Sequence, residues 1–161
     1  MKKTLIIKRI IYGVLLLVTF IMIFKFSASS GNASHGISTD VSEFIAKVLN
    51  VSNEKRNEFV ETIEPYIRKI AHFSIYAFVG IWEMLFLDTF NISDEKKLLI
   101  GTLVGTIYAI SDELHQSFVP GRSAQIIDVV IDSEGNLLGL LAILLIVMII
   151  KKNKAKRKDK K

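Results

Sequence analysis

The sequence has no cysteine. That excludes disulfides, thiolate metal sites and cysteine nucleophiles, and it leaves thiol usage silent on redox compartment. There is no HExxH-type spacing, no nucleophile elbow and no phosphate-cradling glycine loop either, so zincin, serine-hydrolase and P-loop chemistry find no motif here. Proline occurs twice. Pro65 suits the first turn of a helix, and Pro120-Gly121 breaks one.

The abundant residues are apolar. Half of the 161 residues are hydrophobic, mean hydropathy is +0.40, and 23% of residues are charged. One domain's worth of chain with that apolar excess has the composition of a small integral membrane protein. The net charge of +5 is unevenly spread: residues 151–161 hold eight Lys or Arg and one acid, of 21 and 16 in the whole chain. A basic tail can bind nucleic acid, but directly after an apolar run it is expected to stay in the cytoplasm and touch anionic lipid. No nucleic-acid partner is expected.

Four apolar runs succeed one another, at about 5–26, 66–90, 98–119 and 126–150. Each can cross ~30 Å of hydrocarbon at ~1.5 Å per residue. A cleaved signal peptide would also explain the first, with Lys2, Lys3, Lys8 and Arg9 before it and Ser27, Ala28 and Ser29 after it. The three later spans favour a retained anchor. Between the first two runs, Val41, Phe44, Ile45, Val48 and Leu49 repeat at helical spacing, with Asp40 placed to cap the start. Phe59, Val60 and Ile63 do the same after Ser52. These are expected to be short amphipathic helices at the membrane surface, although a solvated loop fits the second piece too. Ser93 is placed to cap the third span, ahead of Asp94 and Glu95 in its first turn. Gly101 and Gly105, and again Gly135 and Gly139, allow close helix approach. The fold class is all-α: an integral membrane four-helix bundle with short amphipathic interfacial helices between spans 1 and 2. It forms one transmembrane domain, 1–150, with a basic cytoplasmic tail, 151–161.

Both ends are rich in Lys and Arg, so an even number of spans places both termini in the cytoplasm. Residues 27–64 and the Pro120-Gly121 turn then face outward. With that orientation the unusual polar residues gather at one membrane face. Arg68, His72 and Tyr76 form a stripe on the second span, beside Lys69. Asp112, His115 and Gln116 share a face of the third, with Glu113 about 100° away. Asp128, Asp132 and Asn136 form a stripe on the fourth. A lone charge in mid-bilayer costs ~2.5–3.5 kcal/mol, so these groups are expected to face each other or a water-filled hollow. The consequence is an outward-facing polar pocket.

Arg68-Lys-Ile-Ala-His-Phe-Ser-Ile-Tyr76, Asp112-Glu-Leu-His-Gln-Ser-Phe-Val-Pro-Gly-Arg122, and Asp128 and Asp132 with Gly135 and Gly139 resemble the VanZ-like family. The serine-rich stretch Phe26–Ser34, with Ser38 beyond it, is similar to the segment just after that family's first span. The resemblance runs from about Ser27 to Gly139. It implies a small membrane protein of Gram-positive bacteria, in a family whose namesake confers low-level resistance to the glycopeptide teicoplanin. Some members carry an acyltransferase-type label, phosphotransbutyrylase, which nothing in this sequence supports. Glu134 and Asn136 stand where small or apolar residues are more usual in the family, pointing to a more acidic pocket. Glu83 has no counterpart in its pattern and is open to three readings: snorkelling, pairing with Lys96 or Lys97, or staying protonated.

The candidate ligand-binding residues are therefore Arg68, His72, Tyr76, Asp112, Glu113, Gln116, Arg122, Asp128 and Asp132. Arg122 can grip a phosphate or carboxylate in bidentate fashion, or instead form an ion pair with Asp128 or Glu113 that fixes the turn. His72 and His115 with Asp112 and Glu113 have the donor types for zinc but lack its usual spacing, so no metal or cofactor is expected. Asp112 and Glu113, with His72, are the candidates for general acid–base work. The competing role for the carboxylates is to neutralise Arg68, Lys69 and Arg122. Trp82 and Tyr108 read as packing residues.

Three functions fit these residues. The first is a non-catalytic envelope protein whose pocket engages an anionic headgroup, a lipid-linked peptidoglycan precursor or a glycopeptide antibiotic. The second is an intramembrane hydrolase or transferase acting on a lipid headgroup. The third is a structural or regulatory membrane subunit.

Overall fold

The computed structural model describes residues 2–158, apart from the side chains of Asn32, Ala33, Lys154, Ala155 and Lys158. The described residues form five helices and no strand: α1 (Lys2–Ser27), α2 (Gly31–Val48), α3 (Asn53–Leu87), α4 (Asp94–Gln116) and α5 (Ile126–Lys158). The chain is all-helical, as its apolar periodicity demands.

Among the described residues, α1, α3 and the 126–153 stretch of α5 are long and apolar enough to cross a membrane. Helix α4 has 23 residues, or about 34 Å of length. Its glycines, threonines and terminal charges keep it outside that set. Even so, it packs as the fourth long rod against α3 and α5, an arrangement compatible with the expected bundle.

Glycine decides how closely the rods approach. A Cβ on Gly135 would meet the backbone of Phe73, one on Gly139 that of Ala77, and one on Gly80 that of Asn136. Helices α3 and α5 therefore run side by side and parallel, backbone against backbone, in the most extensive contact of the fold. Helix α4 lies antiparallel to α5, with Gly101 against the Leu140 side chain and Gly105 against that of Asn136. The expectation that both glycine pairs serve helix contact holds. Helix α1 covers α3 and α4, where Tyr108 donates its hydroxyl to the Phe20 carbonyl at 2.7 Å. The first span is thus one wall of the bundle. Fully buried Tyr76, Val79 and Ala109, with Ile23, form the apolar centre.

One end of the bundle is tied by charge. Arg9 donates to the Thr89 hydroxyl and carbonyl at 3.1 and 2.9 Å and lies over the Phe90 ring. Buried Lys97 bridges Asp88 and Asp94, both at 2.7 Å, and Lys151 reaches Asp88 at 3.3 Å. Helices α1, α3, α4 and α5 are joined there.

Element boundaries differ from expectation in three places. Pro65 does not open a helix; it lies inside α3, which fuses the expected second amphipathic piece with the second span. Proline removes one helical hydrogen bond. The turn before it stays helical because Val60 and Glu64 are buried, with Glu64 bonded to α2. Asp40 is not a cap, since α2 starts nine residues earlier at Gly31. Gly31 is anchored there, donating its amide to the Pro120 carbonyl at 3.1 Å and packing on Gly121. Finally, the helix of the fourth span, expected over about 126–150, extends as far as Lys158. Residues 159–161 of the basic tail lie outside the described residues. Ser93 does cap α4, accepting from the Lys96 amide at 3.4 Å.

Candidate functional site

Two adjoining cavities lie where α1, α2, α3, α4 and the α4–α5 turn converge. The larger, of about 260 Å³, is lined by Arg68, His72, Asp112, Gln116 and Arg122 together with apolar residues of α1, α2 and α3. The smaller, of about 160 Å³, is lined by Gly31, His35, Ser123, Gln125 and Asp128. Ser34, Arg68, His72, Gln116 and Arg122 line both. Residues from three separate stripes of the sequence thus share one wall.

Arg122 is held by neutral acceptors. Its Nη1 donates to Gln116 Oε1 at 2.9 Å and its Nη2 to the Phe26 carbonyl at 2.9 Å. The ion pair with Asp128 or Glu113 considered from sequence does not form within 4 Å. The reason is local. Gln116 Nε2 bonds Asp112 Oδ2 at 3.0 Å, which turns the amide oxygen toward the guanidinium. Glu113 instead accepts from the Gln125 amide at 2.9 Å and fixes the turn through backbone. Burial lowers the pKa of Arg122 from its ordinary value, although Asp112 and Glu113 oppose the shift. Its Nε is buried without a hydrogen-bond partner.

Arg68 is likewise free of carboxylates. Its Nη1 donates to His35 Nε2 at 3.4 Å, while His35 Nδ1 faces Glu64 Oε1 at 3.2 Å. Glu64 also accepts from the Ser38 hydroxyl. Among the described residues, no Asp or Glu lies within ion-pair distance of Arg68, Lys69 or Arg122. Among the described residues, Asp112 and Glu113 therefore form no neutralising ion pair.

His72 sits between the cavities and the buried interior. Its Nδ1 lies 3.5 Å from both carboxylate oxygens of fully buried Asp132. With Nδ1 directed at a carboxylate, Nε2 is the nitrogen left for other partners. Tyr76 and Asp132 are fully buried and Glu113 nearly so; none of the three lines either cavity. The wall groups are Arg68, His72, Asp112, Gln116, Arg122 and Asp128. Among the described residues, no group of three or more His, Asp or Glu could hold a metal. His115 turns the other way and stacks on Phe24, with ring centroids 4.8 Å apart.

The two departures at Glu134 and Asn136 resolve differently. Glu134 is exposed, so it adds no acidity to the cavities. Asn136 is fully buried and donates to Glu83 Oε2 at 2.7 Å. Lys97 is engaged by Asp88 and Asp94, so Glu83 pairs with an amide instead of a lysine. Sequence reasoning missed His35 and Glu64. A signal was present: Ser34, Ser38 and Ser42 recur every four residues, a polar stripe on a helix whose other face is apolar.

Residues 10–149 match the family model described as VanZ/LLP1, well over half of the chain. No curated protein and no solved structure matches it significantly. With its apolar spanning-length helices, the chain belongs to the VanZ/LLP1 family and is a membrane protein of the VanZ type.

Proposed function

We propose that this is a multi-pass protein of the cell membrane, with both termini in the cytoplasm, whose outward-facing polar pocket binds an anionic headgroup or precursor. Through that binding it contributes to the cell envelope and to low-level teicoplanin-type glycopeptide resistance. One observation carries the reading. Arg68 and Arg122 share a cavity wall, and neither is matched by a carboxylate within 4 Å among the described residues. Two guanidinium groups held at a membrane-facing hollow suit a phosphate or carboxylate, which each can grip through two N–H groups.

The orientation rests on charge. Arg9, Lys97 and Lys151 meet at one end of the bundle, and Lys2, Lys3, Lys8 and the basic continuation of α5 lie at that end. Basic flanks are retained in the cytoplasm. The cavities lie at the opposite end.

Expression in a sensitive Gram-positive host is expected to raise the inhibitory concentration of teicoplanin more than that of vancomycin. Arg122→Ala should abolish the rise at equal protein level. No shift with the wild-type chain would sink the resistance reading.

A second reading, a hydrolase or transferase acting on a lipid headgroup, is favoured by the His72–Asp132 pair. Asp132 orients the imidazole so that Nε2 can take a proton at the cavity wall. That reading requires an altered lipid or precursor profile on expression, lost in His72→Gln. Unchanged profiles would leave the binding function alone standing.

A further inference from the structure

The larger cavity joins a polar part to a mostly apolar one, although Ser27, Ser29, Ser38 and Asp112 line it as well. Arg68, His72, Gln116 and Arg122 belong to the part it shares with the smaller cavity, whereas Ile23, Ile37, Val41, Ile67 and Ile75 line the larger one alone. A site for a small soluble anion has no use for that apolar wall. A site for a molecule with an anionic head and an apolar tail does.

Helix α2 shows what lies outside. It turns Ser38 and Ser42 inward, each donating its hydroxyl to a carbonyl one turn earlier in the helix. It leaves Ile37 and Phe44 62% and 66% exposed, and Val41 and Val48 exposed as well. A helix in water does the reverse. The outer face of α2 therefore lies against hydrocarbon or the headgroup boundary. Phe26, at the end of α1, is exposed beside it. Helices α1 and α2 flank the cavity without packing along each other, so the rim formed by Phe26, Ile37 and Val41 opens sideways.

We propose that the seam between α1 and α2 is a lateral portal, and that the ligand is a phosphate-bearing membrane lipid. Its phosphate lies at Arg68 and Arg122. Its chain runs along Ile23, Ile75, Ile37 and Val41 and out into the bilayer. The proposal rests on the anion-binding reading above and adds the class of ligand and its route. The cavity, at about 260 Å³, falls just below the usual range for drug-sized ligands of ~300–1,000 Å³. It holds a headgroup and the first part of a chain, and the remainder extends through the portal. A resistance effect would then act through the lipid.

The absence of cysteine makes the test direct. The full chain carrying Phe26→Cys and Val41→Cys is purified in detergent, and binding of farnesyl monophosphate and of inorganic phosphate is measured before and after bridging the pair with a short bis-maleimide. Farnesyl monophosphate is expected to bind at least tenfold more tightly than inorganic phosphate before bridging, and to lose that advantage afterwards. Inorganic phosphate should bind equally in both forms. Ile37→Trp, a change at an exposed position, should reproduce the loss without a cross-link. Arg68→Gln should weaken both ligands. If bridging leaves farnesyl monophosphate binding unchanged, or the chain adds nothing over inorganic phosphate, the portal is overturned while the anion site stands. If neither ligand binds, both readings fall.

Discussion

Asn136 shows how a single polar residue is accommodated in the apolar interior. It is fully buried, bonds Glu83 across the α3–α5 contact, and fills the space left by Gly105. Removing one member of such a pair leaves the other unsatisfied, at about 1–2 kcal/mol. Glu83→Leu and Asn136→Leu should therefore each destabilise the protein in detergent by about that amount, with the double variant close to wild type. Additive losses in thermal unfolding would show that the two groups do not act as a pair. Glycines give a second residue-scale contrast. A methyl on Gly80 would run into the Asn136 backbone, whereas one on Gly36 meets nothing within 4 Å. Gly80→Ala is expected to cost about 1–3 kcal/mol, and Gly36→Ala to be neutral or stabilising by up to about 1 kcal/mol. Equal melting temperatures for the two variants would contradict the backbone-to-backbone packing.

At the scale of elements, the start of α4 is where charge fixes a helix end. Lys97 donates to Asp94 and to Asp88, so it ties the first turn of α4 to the end of α3. The hydrogen bond from Lys97 holds the Asp94 carboxyl below its ordinary pKa. A depressed carboxyl contributes stability that is present above the unfolded pKa and lost as pH falls through the folded one. The stability difference between wild type and Asp94→Asn should thus be constant from about pH 5 to 8 and close at pH values below about 4. A difference that grows on acidification would reverse the sign of the interaction. Helix α2 is positioned by different means: the Gly31–Pro120 hydrogen bond at one end, and the Ser38 and His35 bonds to Glu64 along its length. Its inward serines are why an amphipathic pattern beginning near Asp40 understated the helix by nine residues. Polar residues that face a protein interior carry no apolar periodicity to read.

For the whole molecule, the arrangement makes one testable claim about the membrane. Asn91 precedes α4 and Ser123 lies beyond its far end, both exposed, at opposite ends of the bundle. A single cysteine at Ser123 should react with an impermeant maleimide in intact cells, and one at Asn91 only after permeabilisation. Asn91 is the better probe of its end because Ser93 caps α4. The opposite labelling pattern would place the cavities in the cytoplasm and remove the extracellular ligand from consideration.

The sequence by itself determined the helical class, the positions of the long apolar segments and the concentration of polar residues on three of them. Those properties depend on composition and on spacing within one helix, and both survive without knowledge of the fold. Tertiary structure alone decided the partners. Arg122 meets Gln116 and a carbonyl of α1, Glu113 caps the turn through a backbone amide, and His72 meets Asp132 instead of His115. Each of those bonds except the one to Gln116 joins elements whose relative rotation is set by glycine contacts and by the docking of Gly31 on the α4–α5 turn. A helical stripe says which side chains point the same way; it does not say which stripe it will meet.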